Sequence, residues 1–173
     1  MPAESGDKVT VEEAIRTFRA VRQFTDQPLS DEDIQAILNA GRRAQSSKNT
    51  QPWQFVAVRN RETLQQLATC GTYAGHLAGA ALGVALLSPV EGFYDLGQAT
   101  AYMQLAAWAR GIGSCIASIY EPEKARAILG VPDDQNFRYA LSFGYPAPNP
   151  NPPTGLKKGG RLPLEEVVRW EHW

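Results

Sequence analysis

The chain has 173 residues, of which 43% are hydrophobic, and its formal net charge is −1. That is enough apolar material for one globular domain with its own core, and the near-zero charge predicts neither a nucleic-acid partner nor an anionic membrane surface. No apolar run is long enough to span a bilayer, and residues 1–8 carry no apolar signal segment.

Cysteine and histidine are too sparse to build a metal site or a disulfide framework. Cys70 and Cys115 stand alone, and His76 and His172 are the only histidines, with no ligand pattern around either. Isolated cysteines are typical of a reducing compartment, so we expect a cytoplasmic protein without a bound catalytic metal.

A capping-box pattern of Thr10 and Glu13 begins the first predicted helix, after a flexible N-terminus of about nine residues. Its apolar face at helical spacing is Val11, Ala14, Ile15 and Phe18. Two arginines, Arg19 and Arg22, follow three residues apart. If the helix continues they share a face and suit a phosphate; the alternative is a solvated helix end.

A second helix is predicted to begin at Ser30, which is followed by three acidic residues that favour a helix N-terminus. Ile34, Ile37 and Leu38 form its buried stripe, and Gly41 is a candidate terminator.

The stretch that follows is polar from Gln45 to Gln51, and we call it the serine loop. Pro52 interrupts the local hydrogen bonding, and an apolar strand is predicted over 53–58. Amides such as Asn49 and Gln51 both donate and accept hydrogen bonds, so they match the edge of a heterocycle. An ordinary surface loop before a strand is the alternative.

The middle of the chain predicts a short helix over 61–68, a poorly defined segment over 70–81, a buried strand over 82–87 and a core helix over 95–110. The buried stripe of the core helix is Leu96, Ala99, Met103, Ala106 and Ala107. So many alanines allow close approach, either of a second subunit or of other elements of this chain.

Glycines 111 and 113 form a Gly-x-Gly that follows a helix and precedes a strand over 115–119, which is the reverse of the dinucleotide-binding order. Pro122 and Gly130 bracket another helix. Alternating apolar residues over 137–143 predict a strand with one buried face. Strands and helices interleave without regular strand–helix–strand units, which favours a single α+β domain over 1–173.

The C-terminal part contains an irregular loop over 146–160, with Lys157 and Lys158, and an extension over 161–173. Trp170 and Trp173 are unusual at a chain end. They predict that the extension docks on an apolar surface, either a partner subunit or the core of this chain.

Four segments, taken in order, resemble the flavin-dependent nitroreductase family in its short single-domain form. They are Arg19-Ala20-Val21-Arg22-Gln23-Phe24; Ser46-Ser47-Lys48-Asn49-Thr50-Gln51-Pro52-Trp53; the 95–114 region with Asp95-Leu96-Gly97 and Gly111-Ile112-Gly113-Ser114; and Lys158-Gly159-Gly160-Arg161-Leu162-Pro163 with the residues to Val168. The match extends from about Val11 to Val168.

The resemblance implies an α+β fold with a central, mostly antiparallel sheet flanked by helices, and a homodimer that binds FMN at its interface. It implies that Arg19, Ala20 and Arg22 lie near the cofactor, and that Lys158 and Arg161 lie near its phosphate. Ser46, Ser47, Asn49 and Gln51 would reach FMN from the other subunit, and Ala117, Ser118 and Ile119 would approach the flavin ring. NADH or NADPH would supply hydride, and a nitroaromatic, a quinone or a similar acceptor would take the electrons.

The residue chemistry agrees with this expectation. Guanidinium and ammonium groups suit a dianionic phosphate, and a cation such as Arg22 would stabilise the anionic N1/O2 edge of a reduced flavin. The flavin carries the chemistry, so we predict no catalytic side chain.

Three departures from the family pattern leave two alternatives open. Phe18 and Ala20 stand where the family often has arginine and serine, Gln45 replaces a common proline, and the 71–95 region is short for a substrate lid. The chain could be a flavoenzyme of dehydrogenase or dehalogenase type, or a binding protein that has lost efficient use of flavin.

Overall fold

The computed structural model describes residues 9–89, 93–148 and 160–173. The helices are α1 Val11–Thr17, α2 Asp31–Arg42, α3 Arg61–Ala68, α4 Phe93–Trp108, α5 Pro122–Leu129 and α6 Leu164–Val167, and the strands are β1 Gln54–Val58, β2 Leu82–Ser88, β3 Gly113–Ser118 and β4 Asn136–Gly144. No helix in these ranges is both long and apolar enough to cross a bilayer.

The four strands form one antiparallel sheet in the order β1-β2-β4-β3. Gln54 pairs with Leu87 at one edge, Val84 pairs with Leu141 in the centre, and Cys115 pairs with Ser142 at the other edge. All of β2 and the second half of β4, from Ala140 to Gly144, are buried, which requires cover on both faces.

Two apolar clusters cover the two faces of the sheet. On one face α2 and α4 contribute Ile37, Ala99 and Met103, which pack with Val84 and Phe143. The other face is covered by α3 and α5, together with a short 3-10 helix over Gly75–Gly79. The prediction of an α+β fold with an antiparallel sheet between helices is therefore correct.

Local sequence signals determine several helix ends. The hydroxyls of Thr10 and Ser30 accept hydrogen bonds from the backbone N–H groups of Glu13 (3.2 Å) and Asp33 (3.1 Å), as the capping patterns predict. Gly130 ends α5 in the left-handed conformation, with φ of 64°, where glycine has no Cβ penalty.

Gly41 does not end α2, contrary to the prediction. The helix continues to Arg42, and a Cβ at position 41 would lie 2.8 Å from Cγ of Met103. The glycine therefore allows α2 and α4 to approach closely, so the small residues of this region serve packing inside the chain.

The alternation of β4 is interrupted, so the prediction of one buried face is wrong. The register with β2 shifts between Leu86 and Leu87, and Phe137 consequently packs in the cluster on the face opposite to Leu141 and Phe143. A bulge inserts an extra residue and reverses the side-chain parity, which simple alternation in the sequence does not reveal.

The apolar face predicted for α1 is largely exposed. Ala14 is buried, but Val11 and Ile15 are 72% and 61% exposed. The helix ends at Thr17, and Phe18 leaves it with an extended ψ of 133°.

The two tryptophans of the tail do not fold back onto the core, which rules out one of the two interpretations. Trp170 is 83% exposed and Trp173 is fully exposed, although the Arg169 guanidinium lies over the Trp173 ring. Large exposed indoles are typical of surfaces that bind a partner.

We predict that Gly71→Ala destabilises the fold by about 1–3 kcal/mol. A Cβ at position 71 would lie 2.1 Å from the backbone oxygen of Ser118, so backbone rather than a flexible side chain must move. The matched control is Gly75→Ala, because nothing lies within 4 Å of a Cβ there. Urea unfolding of both variants measures the free energies; equal values would contradict the prediction.

Candidate functional site

An extended segment after α1 places the two arginines beside the edge strand β3. Ala20 forms a parallel bridge with Ser114, and the N–H of Val21 donates to the Ser114 carbonyl at 2.8 Å. Gly113 makes room for this contact, since a Cβ there would lie 2.6 Å from Cβ of Val21. The arginines are therefore carried by an added edge of the sheet and do not share a helical face.

Arg19 and Arg22 consequently lie in different surroundings. The Arg19 guanidinium lies 5.6 Å from the ring centroid of Trp108. The Phe18 ring packs edge-on against the same indole, with 5.9 Å between the ring centroids. Arg22 is exposed, and its charge acts on His76 and Cys115. Residues three apart in extended chain face opposite sides, which explains the separation.

A buried polar cluster that sequence reasoning missed lies beside Arg22. His76, 8% exposed, contacts the Ser142 hydroxyl through Nδ1 at 2.7 Å, and the Ser142 hydroxyl donates to the carbonyl of Cys115 at 3.4 Å. Nε2 of His76 has no hydrogen-bond partner among the described residues. Burial, reinforced by the Arg22 charge, lowers the pKa of His76 from 6.5 to about 4, so the imidazole is neutral at pH 7.

The cysteines of this region are protonated at neutral pH. Burial raises the pKa of the Cys115 thiol, and the opposing effect of the Arg22 charge does not offset it. Burial likewise raises the pKa of Cys70. Neither thiol is therefore activated as a nucleophile.

A second missed contact joins α4 to β3 on the other face of the sheet. The side-chain amide of Gln104 donates to the Ser114 hydroxyl at 3.2 Å, and both residues are buried. The amide of Gln104, one residue after Met103 of the buried stripe, is the sequence signal that could have revealed it.

The serine loop is exposed and conformationally strained. Lys48, Asn49 and Gln51 all have positive φ, at 51°, 55° and 48°, a conformation that non-glycine residues adopt mainly where function or surrounding structure requires it. The N–H of Gln51 donates to the Ser46 hydroxyl at 2.9 Å, and the N–H of Ser47 donates to the Asp95 carboxylate at 3.2 Å.

The three residues predicted to approach the flavin ring lie at the end of β3. Ala117 and Ile119 are buried in the core, whereas Ser118 is half-buried. Ala117 and Ile119 therefore offer backbone atoms rather than side chains to a ligand. The backbone oxygen of Ser118 closely approaches Gly71, and the Cys70 carbonyl accepts hydrogen bonds from the N–H groups of Tyr120 and Glu121.

The two basic residues predicted near the phosphate are only partly described. Arg161 is exposed just before α6, and Lys158 lies outside the described residues, as does Lys157. Neither Arg22 nor Arg161 forms an ion pair within the described ranges. Uncompensated guanidinium groups suit the dianionic phosphate or the anionic ring edge of a flavin nucleotide, so these residues fit FMN.

Within one chain Arg19 and the serine loop lie at opposite ends of α4. The loop contacts Asp95 and Arg19 contacts Trp108, and thirteen residues of helix separate these contacts by about 20 Å. The structure thus joins the arginine segment to β3. A cleft formed jointly by the arginine segment and the serine loop remains a prediction, because the loop would have to come from a second chain.

The fold and these surfaces define an α+β protein whose antiparallel sheet is covered by helices on both faces and carries exposed cations at one edge. Residues 15–70 and 85–145 match the model of the nitroreductase family. A provisionally named NADH dehydrogenase/NAD(P)H nitroreductase of Archaeoglobus fulgidus is 35% identical over an alignment of 144 positions, which covers 76% of this chain and 83% of that protein.

A second relative with the same provisional name, from Methanothermobacter thermautotrophicus, is 30% identical. The alignment covers 83% of this chain and 81% of that protein. The structure of an FMN-dependent nitroreductase from Clostridium difficile R20291 matches with a TM-score of 0.79 at 25% identity, over 92% of this chain and 98% of that chain. The chain belongs to the nitroreductase family, so the family resemblance is confirmed. The matched residues include the first three segments, whereas the segment that begins at Lys158 lies beyond them and stays a prediction.

We predict that His76 makes stability depend on pH. Its folded-state pKa is depressed from 6.5 to about 4, so the unfolded chain binds the proton more tightly. The stabilisation is complete above pH 6.5 and is lost as the pH falls from 6.5 to 4, by about 3 kcal/mol in total.

Urea unfolding at pH 7, 5.5 and 4.5 measures this loss, and His76→Asn is the control, because its amide retains a partner for Ser142 but does not titrate. The wild type should lose more stability than the variant over this range. Parallel losses in both proteins would contradict the assignment.

Proposed function

We propose that this protein is an FMN-dependent NAD(P)H oxidoreductase, and the observation that carries the proposal is its membership of the nitroreductase family over residues 15–70 and 85–145. The names of similar proteins include NAD(P)H nitroreductase and FMN-dependent nitroreductase. Bound FMN would accept hydride from a reduced nicotinamide and deliver electrons to a second molecule in the same pocket.

The described residues would bind and orient the cofactor. Arg22 places an exposed cation at the edge of β3, suited to the anionic side of a flavin ring, and Arg161 supplies an exposed cation for the phosphate. Neither has an ion-pair partner in the part of the chain that the structure describes. Lys158 remains a predicted phosphate contact. The exposed amides of Asn49 and Gln51, and the hydroxyls of Ser46 and Ser47, supply neutral donors and acceptors for the ring.

The family departures at Phe18 and Ala20 have different structural consequences. Phe18 packs edge-on against Trp108, so it contributes to the core and supplies no cation. Ala20 remains beside Ser114 in an exposed position but has no hydroxyl. Both changes favour weaker FMN binding, which keeps a specialised or non-catalytic flavin-binding protein as the alternative.

We propose a homodimer as the functional unit. The exposed apolar side chains of α1, α6 and the tail support a partner surface, and the separation of the serine loop from Arg19 supports a site completed by a second chain. The acceptor is a nitroaromatic, a quinone or a similar small molecule. Two free, buried cysteines support a cytoplasmic location.

Freshly isolated protein should contain FMN, identified by absorbance and by the mass of the released cofactor. NADH or NADPH should bleach the absorbance in the absence of air, and a panel of nitroaromatics and quinones should restore it. A colourless protein that added FMN does not reconstitute would reject the enzyme proposal and favour the binding-protein alternative.

We predict that Arg161→Ala raises the Kd for FMN by about tenfold, because one charge-assisted phosphate contact is lost. Fluorescence titration measures the Kd. Arg59→Ala is the matched control, since Arg59 is exposed but already paired with Asp31 at 2.8 Å. An Arg161 variant that binds FMN as tightly as the control would exclude the phosphate contact.

Light scattering should give a mass of twice 18.9 kDa. Replacing both Trp170 and Trp173 by alanine should shift this mass towards the monomer, because two large apolar contacts are lost. Tyr73→Ala is the control, since Tyr73 is a comparably exposed aromatic residue outside the tail. A wild-type monomer that retains FMN would rule out the dimeric site.

A further inference from the structure

The serine loop is strained, and its ends are anchored by buried residues. Ala44 and Trp53, on either side of it, belong to the apolar cluster beneath α2 and α4. Between them, three residues have positive φ. A short exposed segment holds such a conformation only when other contacts compensate its cost.

The compensating contacts inside the loop are local. The N–H groups of Asn49 and Thr50 donate to the carbonyls of Ser46 and Ser47, both at 3.0 Å. The N–H of Gln51 donates to the Ser46 hydroxyl. These bonds define the shape of the loop, but they do not orient it relative to the rest of the molecule.

Among the described residues, one hydrogen bond joins the serine loop to another element of the fold. It runs from the N–H of Ser47 to the Asp95 carboxylate, over a sequence separation of 48 residues. Asp95 is half-buried in the first turn of α4, where a carboxylate is favoured by the helix dipole. Since α4 is packed along its length against α2 and the sheet, Asp95 is a rigid point of attachment.

We propose that Asp95 is a positioning residue that holds the serine loop in its cofactor-binding conformation. The role rests on the proposed function, because the loop's hydroxyls and amides are the groups expected to contact FMN of the neighbouring subunit. Asp95 acts through the backbone of Ser47 and makes no contact with the cofactor itself. Pre-organisation of this kind lowers the ordering cost of binding.

Limited proteolysis of the full-length chain without added FMN tests the anchor alone. Lys48 is exposed, and trypsin cleaves after lysine only where the backbone can open. Asp95→Ala should increase the rate of cleavage after Lys48 by about tenfold, from the loss of one charge-assisted hydrogen bond. Asp95→Asn should remain close to wild type, because an amide oxygen still accepts the bond.

Glu62→Ala is the matched control. Glu62 is also an acidic residue in the first turn of a helix, but no hydrogen bond connects it to a loop in the part of the chain that the structure describes. If trypsin cleaves the Asp95→Ala variant after Lys48 no faster than it cleaves the Glu62→Ala variant, the proposal is overturned.

FMN titration then tests the link to the cofactor. The Kd should rise about tenfold in Asp95→Ala and return towards the wild-type value in Asp95→Asn. A loop that opens without any change in the Kd would overturn the positioning role. Wild-type protein that binds no FMN would instead reject the proposed function, and the cleavage rates would still show whether Asp95 holds the loop.

A second pair of variants tests the same bond from its donor side if Asp95→Ala does not fold. Ser47→Pro removes the N–H donor, and the extended ψ of 152° at Ser46 is compatible with a following proline. Ser47→Ala removes only the hydroxyl. Faster cleavage after Lys48 in the proline variant than in the alanine variant supports the anchor, and equal rates contradict it.

Discussion

The packing of α4 between α2 and the sheet is the constraint on which the other features depend. Gly41 allows Met103 to fill the space between the two helices, and Ala99 and Ala107 are fully buried in the same region. Close packing of small residues leaves a helix little freedom to shift. Side chains that α4 carries are therefore held at defined positions.

Three contacts along α4 organise the candidate site. Near its start Asp95 accepts a hydrogen bond from the serine loop, in its second half Gln104 holds Ser114 of the edge strand, and at its end Trp108 donates to Thr17 at 2.9 Å. The serine loop, the edge strand and the end of α1 thus share one support. This explains how the serine loop keeps a fixed spacing from the edge strand and the arginine segment, which contact each other through Val21 and Ser114.

The charges of the molecule divide into paired and unpaired groups. Arg59, Arg61 and Arg110 each form an ion pair, and the Arg110 pair with Asp33 contributes to a depressed pKa of that carboxyl, against the opposing effect of its burial. Arg22 and Arg161 have no such carboxylate within the described residues. The neutral His76 beside Arg22 adds no second charge. Guanidinium groups without a carboxylate partner among these residues are available to an anionic ligand. This availability is the electrostatic basis of the proposed flavin site.

The sequence by itself determined the features that local chemistry controls. Neighbouring residues decide the helix capping by Thr10 and Ser30, the left-handed conformation of Gly130 and the buried strand β2. The motifs, taken in their order along the chain, were enough to identify the family. Only the tertiary structure decided that Gly41 packs inside a helix, that a bulge sends Phe137 to the opposite face, and that Arg19 and Arg22 separate along an extended edge. Those outcomes, and the contacts of His76 and Asp95, depend on residues distant in the chain, whose approach is decided by packing rather than by local preference.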